Sequence, residues 1–392
     1  MALYCVPPTP VNDAKLAIIG AYTASDAYPN VLHKIAILKQ LAGNRVIELS
    51  RPFNPAPRYH KGGAEFISLA VRALALSWHN LRLLLDVIRC RHIPVVYCPY
   101  PAVVLLLLVS LLPRRLRPES IIADVFISLY DTVVNDRRRL KSGGLPARLL
   151  RRVERRAIDC ARLAIVDTPE NTAFYAELFG LPASKFQAIL IAVNEAIFTP
   201  RAYPEAAGGI IRILFVGTLV PLHGITTLCQ AIRRLPPQTA LTLDIVGDGQ
   251  MREAVQALVT EALPITVNWH SQWLSSSAIA NFIAHSHVCL GLFSANGKSG
   301  RVWPIKNYLY MCSGRPIVTA RSACSRRLSQ QFSQQVLLHF GGDNPASLAE
   351  LLGQLPARFD ELKQMAKNSR TMYEQHLSHT AIATECARWL QH

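Results

Sequence analysis

Glycine, histidine and lysine fall at short, regular spacings in the second half of this 392-residue chain, and the chemistry they suit is the binding of an anion. The stretch FVGTLVPLHGITTLCQAI, Phe215–Ile232, is an apolar run that breaks at Gly217 and becomes a helical pattern near Gly224. A strand ending and a helix starting there leave backbone N–H groups without intrahelical partners, and such groups attract phosphate. Thr218 and His223 stand inside that turn. A second turn, VGDGQ, supplies Gly247, Asp248 and Gly249. A third, GLFSANGKSGRVWPIKNYLYMCSG, brings Lys298, Arg301 and Lys306 together with Trp303, Tyr308 and Tyr310 and contains no acid. Three such loops on one sheet edge point to a phosphate-bearing ligand. Plainer readings stand beside this one: glycines after strands are common turn formers, His223 is equally a polar turn residue, and the cations equally belong to a solvated loop.

The elements that must hold these loops are legible as short apolar runs. KLAIIG, NRVIELS, IPVVYCP, SIIADVFISL and RLAIVDT read as buried parallel strands in the first half, and IIRILFVG, ALTLDIVG, ITVNWH, HVCLGLF and RPIVTA in the second, with helical patterns between them. Two alternating β/α series in succession predict an α/β protein of two Rossmann-like domains. Their expected extents are residues 1–200 and 201–375, joined through a Pro- and Gly-rich linker, Asn194–Ile210, with residues 376–392 a C-terminal helix suited to packing across the boundary. Open α/β sheets bind ligands at the carboxyl ends of their strands, so two such domains are expected to face each other across a cleft.

Composition narrows the partners. The formal charge of +16 suits an anionic one, but the arginines concentrate between Pro113 and Arg156, in LLPRRLRP, DRRRLK and ARLLRRVERR, without interleaved aromatics to stack bases. Nucleic acid is therefore not expected. The neighbouring apolar run Pro101–Pro113 is shorter than the ~20 residues that span a bilayer. Beside the arginines it suggests an anionic membrane surface, while a buried helix with a merely solvated basic face fits the same residues. Nine cysteines show no C-x-x-C or His-paired cluster, so neither a disulfide framework nor a metal site is indicated. The N-terminus lacks the pattern of a signal peptide, and a cytoplasmic protein is expected, peripheral on the inner face of the membrane.

Taken together, VGTL.P.HGI..L..AI, then DIVGDG, then P.K.Y.YM.SGRPIVTA resemble the C-terminal half of the family 4 glycosyltransferases of GT-B fold. DVFISLYDT with NDRRR, LAIVDTPENTAFYAELFGLPASKF and NEAIFTP are similar to the N-terminal half of a subset whose donor loop reads PLHG. The resemblance implies retaining, metal-independent transfer of a sugar from a nucleotide-diphosphate sugar to a glycan or lipid-linked acceptor, with no cofactor, in cell-surface polysaccharide or glycolipid synthesis. It assigns the donor to Gly217, Thr218, His223, Gly224, Gly247, Asp248, Gly249, Lys298, Arg301 and Lys306. It assigns catalysis to Asp131, His223 and Lys306, and the acceptor to Tyr22, Ser25, Asp26 and Tyr28; a cap or turn role suits Asp131 and the acceptor residues as well.

The sequence departs from the family at two places. Thr218 and His223 stand where many members carry Arg and Lys. Arg301 and Leu309 stand where many carry two glutamates that touch the donor sugar and the ribose. Leu309 cannot hydrogen-bond a ribose, whereas Arg301 beside Lys306 can take over diphosphate charge. The alternative expectation is thus a catalytically silent protein of the same fold that binds a partner or a sugar nucleotide.

Overall fold

The computed structural model describes residues 13–22, 29–52, 78–137 and 139–390. They make two units: described residues up to Ala192 with those from Ile382 onward, and Val193–Ala381.

In the first unit β1 (Leu16–Tyr22), α1 (Pro29–Ala42), β2 (Val46–Pro52), α2 (helical residues 78–89), β3 (Val95–Cys98), α3 (Val103–Leu111), β4 (Ile121–Asp124), α4 (Leu145–Cys160), β5 (Leu163–Val166), α5 (Pro169–Phe179) and β6 (Phe186–Ala188) follow one another. The strands are all parallel, in the order β2-β1-β3-β4-β5-β6. Apolar side chains cover both faces, so every residue of β1 is buried: Ala17, Ile19 and Ala21 enter one core cluster, Leu16 and Ile18 the other.

The run SIIADVFISL is strand only as far as Asp124. There the buried carboxylate accepts from Lys34 Nζ at 2.7 Å and Tyr97 Oη at 3.2 Å. Beyond it Glu154 of α4, fully buried, accepts from the N–H groups of Leu129 and Tyr130 at 2.8 and 2.7 Å and from Ser128 Oγ at 3.1 Å. Those bonds hold the chain out of extended geometry and lead it into a π-helical turn, Asp131–Asp136. Burial raises the Glu154 pKa while the donated hydrogen bonds oppose the rise.

The second unit runs β7 (Ile211–Val216), α6 (Ile225–Ile232), β8 (Leu241–Val246), α7 (Arg252–Val259), β9 (Thr266–His270), α8 (Ser276–His285), β10 (Val288–Leu290), α9 (Ile305–Cys312), β11 (Ile317–Ala320), α10 (Ala323–Gln331), β12 (Leu337–Phe340), α11 (Pro345–Gln354) and α12 (Phe359–His376). Its parallel order is β12-β11-β10-β7-β8-β9. From β7 the chain first builds outward through β8 and β9, then crosses back to add β10, β11 and β12 on the other side. Loops leaving the adjacent strands β7 and β10 therefore diverge, and the crevice between them is where such a sheet receives a ligand.

A last helix, α13 (His379–Ala387), returns the chain to the first unit. Ile382, Cys386 and Trp389 join the cluster of Leu16, Ile18 and Tyr97, and Trp389 Nε1 donates to Gln187 Oε1 at 3.0 Å. Among the described residues no helix is long and apolar enough to cross a membrane.

Candidate functional site

The β7 and β10 loops meet through glycines that leave no room for a side chain. β7 ends at Val216, whose N–H donates to Tyr310 Oη at 2.9 Å. The next residues are knitted to the turn after β8: Gly217 N donates to Val246 O at 3.0 Å, Leu219 N to Asp248 O at 3.1 Å and Met251 N to Leu219 O at 2.8 Å. A Cβ at Gly247 would stand 2.2 Å from the Gly217 carbonyl oxygen, at a φ of +130° that disfavours any L side chain. Gly247→Ala is accordingly expected to destabilise the protein by about 3 kcal/mol, read as a lowered urea midpoint at unchanged m-value.

The turn Pro221–His223 follows, then Gly224 at φ +72°, where a Cβ would lie 2.8 Å from Ser294 N. Phe293 N donates to His223 O at 2.9 Å, which draws the β10 loop against this turn. Helices α6 and α9 both begin here without a side-chain cap and without an acid in the first turn. The third N–H of each, Thr227 N and Asn307 N, donates back to Gly224 O and Pro304 O at 2.9 Å; the earlier N–H groups lack intrahelical partners, and the helix dipoles favour negative charge at these ends.

Lys306 sits in the first turn of α9 with 4 % of its surface exposed, and its Nζ has no hydrogen-bond partner among the described residues. The ammonium lies 3.7 Å from the centroid of the Phe215 ring. A Cβ placed on Gly217 would be 3.2 Å from both Lys306 Nζ and His223 Cε1, so lysine and histidine converge on the same backbone turn. Burial pushes the Lys306 pKa well down. His223 is likewise held well below the ordinary histidine value, first by burial and then by Lys306, against a hydrogen bond with the Thr218 backbone. Its Nδ1 is buried without a partner among the described residues. A buried cation facing one aromatic ring and a neutral imidazole lacks countercharge, and an anion at the turn would supply it.

The other residues singled out in the sequence divide by place. Lys298 lies in the turn Gly297–Gly300, which packs against Pro221–His223, and Arg301 follows it directly. Asp248 is half-buried, and its carboxylate accepts from Gly249 N at 2.8 Å and pairs with Arg252. Gly249 packs on Leu219, so this turn braces the site. Leu309 is buried on α9. In the first unit Asp131 is fully buried and accepts from Asn135 Nδ2 at 2.9 Å, and Tyr22 is buried with its hydroxyl donating to Glu48. Ser25, Asp26 and Tyr28 lie outside the described residues.

Sequence reasoning missed Asp343 and Asn307, and named Trp303 only as a companion of the cations. Asp343, after β12, shapes the β10 loop by accepting from Ser294 Oγ at 3.2 Å and Asn296 Nδ2 at 2.6 Å. Its GGDN setting reads only as a turn. Asn307 and Trp303 Nε1, both buried beside Lys306 in sequence, have polar atoms without partners among the described residues. For Asn307 the available signal was its polarity inside an apolar helical pattern; Trp303 precedes the helix.

The two Rossmann-like units are those of a GT-B fold. Residues 203–372, nearly the whole second unit, match the family described as glycosyl transferases group 1. No curated protein matches the chain. Among solved structures the chain is similar to HepE of Anabaena in complex with UDP, at 14 % identity and a TM-score of 0.65 over 96 % of this chain and 99 % of that one. HepE has also been crystallised with UDP-glucose. Sucrose-phosphate synthase of Thermosynechococcus elongatus is similar at 15 % identity and a TM-score of 0.66, over 96 % and 98 % of the two chains. WaaG, a glycosyltransferase involved in lipopolysaccharide biosynthesis, is similar at 12 % identity and 0.59, over 96 % and 99 %.

Proposed function

We propose that the chain is a glycosyltransferase that takes a sugar from a nucleotide-diphosphate donor and transfers it, with retention and without a metal, to a glycan or lipid-linked acceptor of the cell surface. The observation that carries the reading is the buried, partnerless Lys306 ammonium at the turn where α6 and α9 begin. The group 1 match over the same unit and the UDP-glucose held by HepE support it.

In this reading the diphosphate takes the N-terminus of α6, with Lys306 and His223 as side-chain donors and Lys298 and Arg301 at its rim. Charge develops on the leaving diphosphate as the glycosidic bond breaks, and preorganised donors there stabilise the transition state more than the ground state. Neutral His223 gives one N–H; a bound phosphate favours its protonated form, which gives two. A panel of UDP-, GDP- and ADP-sugars in thermal shift is expected to yield one nucleotide that stabilises the protein by mass action, and no shift with any would reject the reading. Turnover with that donor is expected to persist in EDTA, because lysine and helix dipoles supply the positive charge. Loss of turnover on chelation, restored by manganese, would sink the metal-independent chemistry.

Leu309, buried where the resembled family often carries a glutamate, favours a second reading in which the protein binds a sugar nucleotide without turning it over. A stabilising nucleotide sugar that shows neither transfer nor hydrolysis on prolonged incubation with membrane glycolipid extracts would select it.

A further inference from the structure

We propose that the exposed face of α4 is a docking surface for an anionic lipid bilayer. Arg148, Arg151, Arg152, Arg155 and Arg156 are all exposed on this helix, and Leu145 and Leu149, one turn apart, leave 80 % and 61 % of their surfaces in solvent. The first turn holds no acid and no side-chain cap, so arginine begins at the end of the helix where the dipole disfavours it. Spacings of three and four residues set these cations beside one another on the helix surface, where like charges repel. The acid in their midst, Glu154, is buried and occupied by the turn before Asp131, which leaves Asp159 in the last turn as the helix's exposed acid. A cleft of about 260 Å³ beside the helix is lined by Arg151, Arg152 and Arg155 with Glu177, Leu178 and Phe179, a mainly basic recess on an apolar floor.

The surface extends past α4 but not as the sequence suggested. Of Arg114, Arg115 and Arg117, the last is engaged within the fold: its Nε donates to Leu112 O and its Nη2 to Ser110 O, both at 2.9 Å, closing the end of α3. Arg156 donates to Ser110 Oγ at 3.1 Å, which sets this end beside the later turns of α4. Leu111, 62 % exposed, and the exposed Arg114 and Arg115 stand at that end.

Charge complementarity alone would admit a nucleic acid. The leucines decide otherwise: α4 carries no aromatic to stack a base, and its exposed apolar side chains sit among the arginines as on a helix lying at a lipid interface. Arginine heads reach phosphate while Leu145 and Leu149 enter the acyl boundary. A lipid-linked acceptor gives this surface its use, and to that extent the inference rests on the proposed function.

Flotation with phosphatidylglycerol–phosphatidylcholine vesicles, against phosphatidylcholine alone, tests the surface. The protein is expected to float with the anionic vesicles, less so as salt is raised. The combined variant Arg148→Gln, Arg151→Gln, Arg152→Gln is expected to lower the partition coefficient roughly a hundredfold, and Leu145→Ser with Leu149→Ser roughly tenfold. Arg321→Gln with Arg326→Gln, exposed on the second unit, is expected to bind as the wild type does. Wild type that stays unbound at low salt, a triple arginine variant that still floats, or stronger binding to a mixed-sequence RNA than to vesicles would each overturn the proposal. The thermal shift given by a nucleotide sugar is expected to be unchanged in the triple variant, so failure of the membrane surface and failure of the donor site remain distinguishable.

Discussion

Replacing Lys306 with methionine is expected to make the ligand-free protein more stable while removing most of its affinity for a nucleotide sugar. The two effects have one cause. In the free protein the ammonium is desolvated against Phe215 with no countercharge among the described residues, and Met fills a similar volume without a charge to bury. Stabilisation on the order of 1 kcal/mol or more follows. With a diphosphate at the turn the same cation forms a charge-assisted hydrogen bond, whose loss costs about 1.5–3 kcal/mol, roughly 10- to 150-fold in Kd. A purely structural lysine would behave oppositely: the variant would lose stability and keep its ligand.

The pH dependence gives an independent check. Because burial lowers the Lys306 pKa, the unfolded chain binds more protons than the folded one between the depressed value and the ordinary lysine value of 10.5. Stability therefore rises with pH through that window, and below it the folded state carries the full cost of the buried charge. His223, also depressed, adds a slope of the same sign below its ordinary 6.5. Chemical denaturation across pH is expected to show the upper slope in the wild type and not in Lys306→Met, with the lower slope kept in both. An upper slope that survives the substitution would place the titrating group elsewhere.

How far the sequence could be read depends on what each signal encodes. Parallel strands buried on both faces become continuous apolar runs, which is why β1, β7 and β8 were legible from KLAIIG, IIRILFVG and ALTLDIVG, although β1 runs on through Ala21 and Tyr22. Gly217 and Gly224 were legible because turn chemistry is local. Contacts made at long range left no such mark. The β4 run looked longer than it is because the residue that ends its extended course, Glu154, lies about thirty positions downstream on another element. The VGDG setting marks Asp248 as a residue of the donor loops but says nothing of the partners its carboxylate takes within the fold, Gly249 N and Arg252. Arg117 looked like one cation of a basic run until the end of α3 claimed its donors. Side-chain type and spacing announce a loop's chemistry, but which of its charges is left without a partner is decided by segments distant in sequence.

Arg315→Ala is expected to destabilise the second unit by about 3–5 kcal/mol, the larger of the stability losses foreseen. The side chain is 1 % exposed, and instead of a carboxylate its guanidinium meets main-chain carbonyls from three segments. Nε donates to Ile283 O at 3.1 Å and Nη2 to Ala284 O at 2.7 Å, at the last turn of α8, where orphan carbonyls carry the negative end of the helix dipole. Nη2 also donates to Ala202 O at 3.2 Å and Nη1 to Gly314 O at 2.9 Å, tying in the segment that precedes β7 and the turn that follows α9. The Tyr203 ring lies 5.6 Å away. Burial lowers the Arg315 pKa only from a very high starting value, so the group stays charged and helix-end carbonyls supply the compensation that an acid would otherwise give. Truncation strips donors from several buried acceptors at once and leaves a cavity in their midst. Arg315→Lys keeps the charge but offers three donors from one point, which cannot span a planar fork, and is expected to cost about half as much. For a unit of this size each kcal/mol corresponds to roughly 2–4 °C, so calorimetry should place Arg315→Ala roughly 10 °C below the wild type, with Arg315→Lys between them. Because α9 begins at the turn proposed to hold the diphosphate and ends at the Arg315 turn, both variants are expected also to weaken nucleotide-sugar binding measured well below their Tm. A lysine variant as stable as the wild type would mean that charge alone, rather than the fork of donors, holds these segments together.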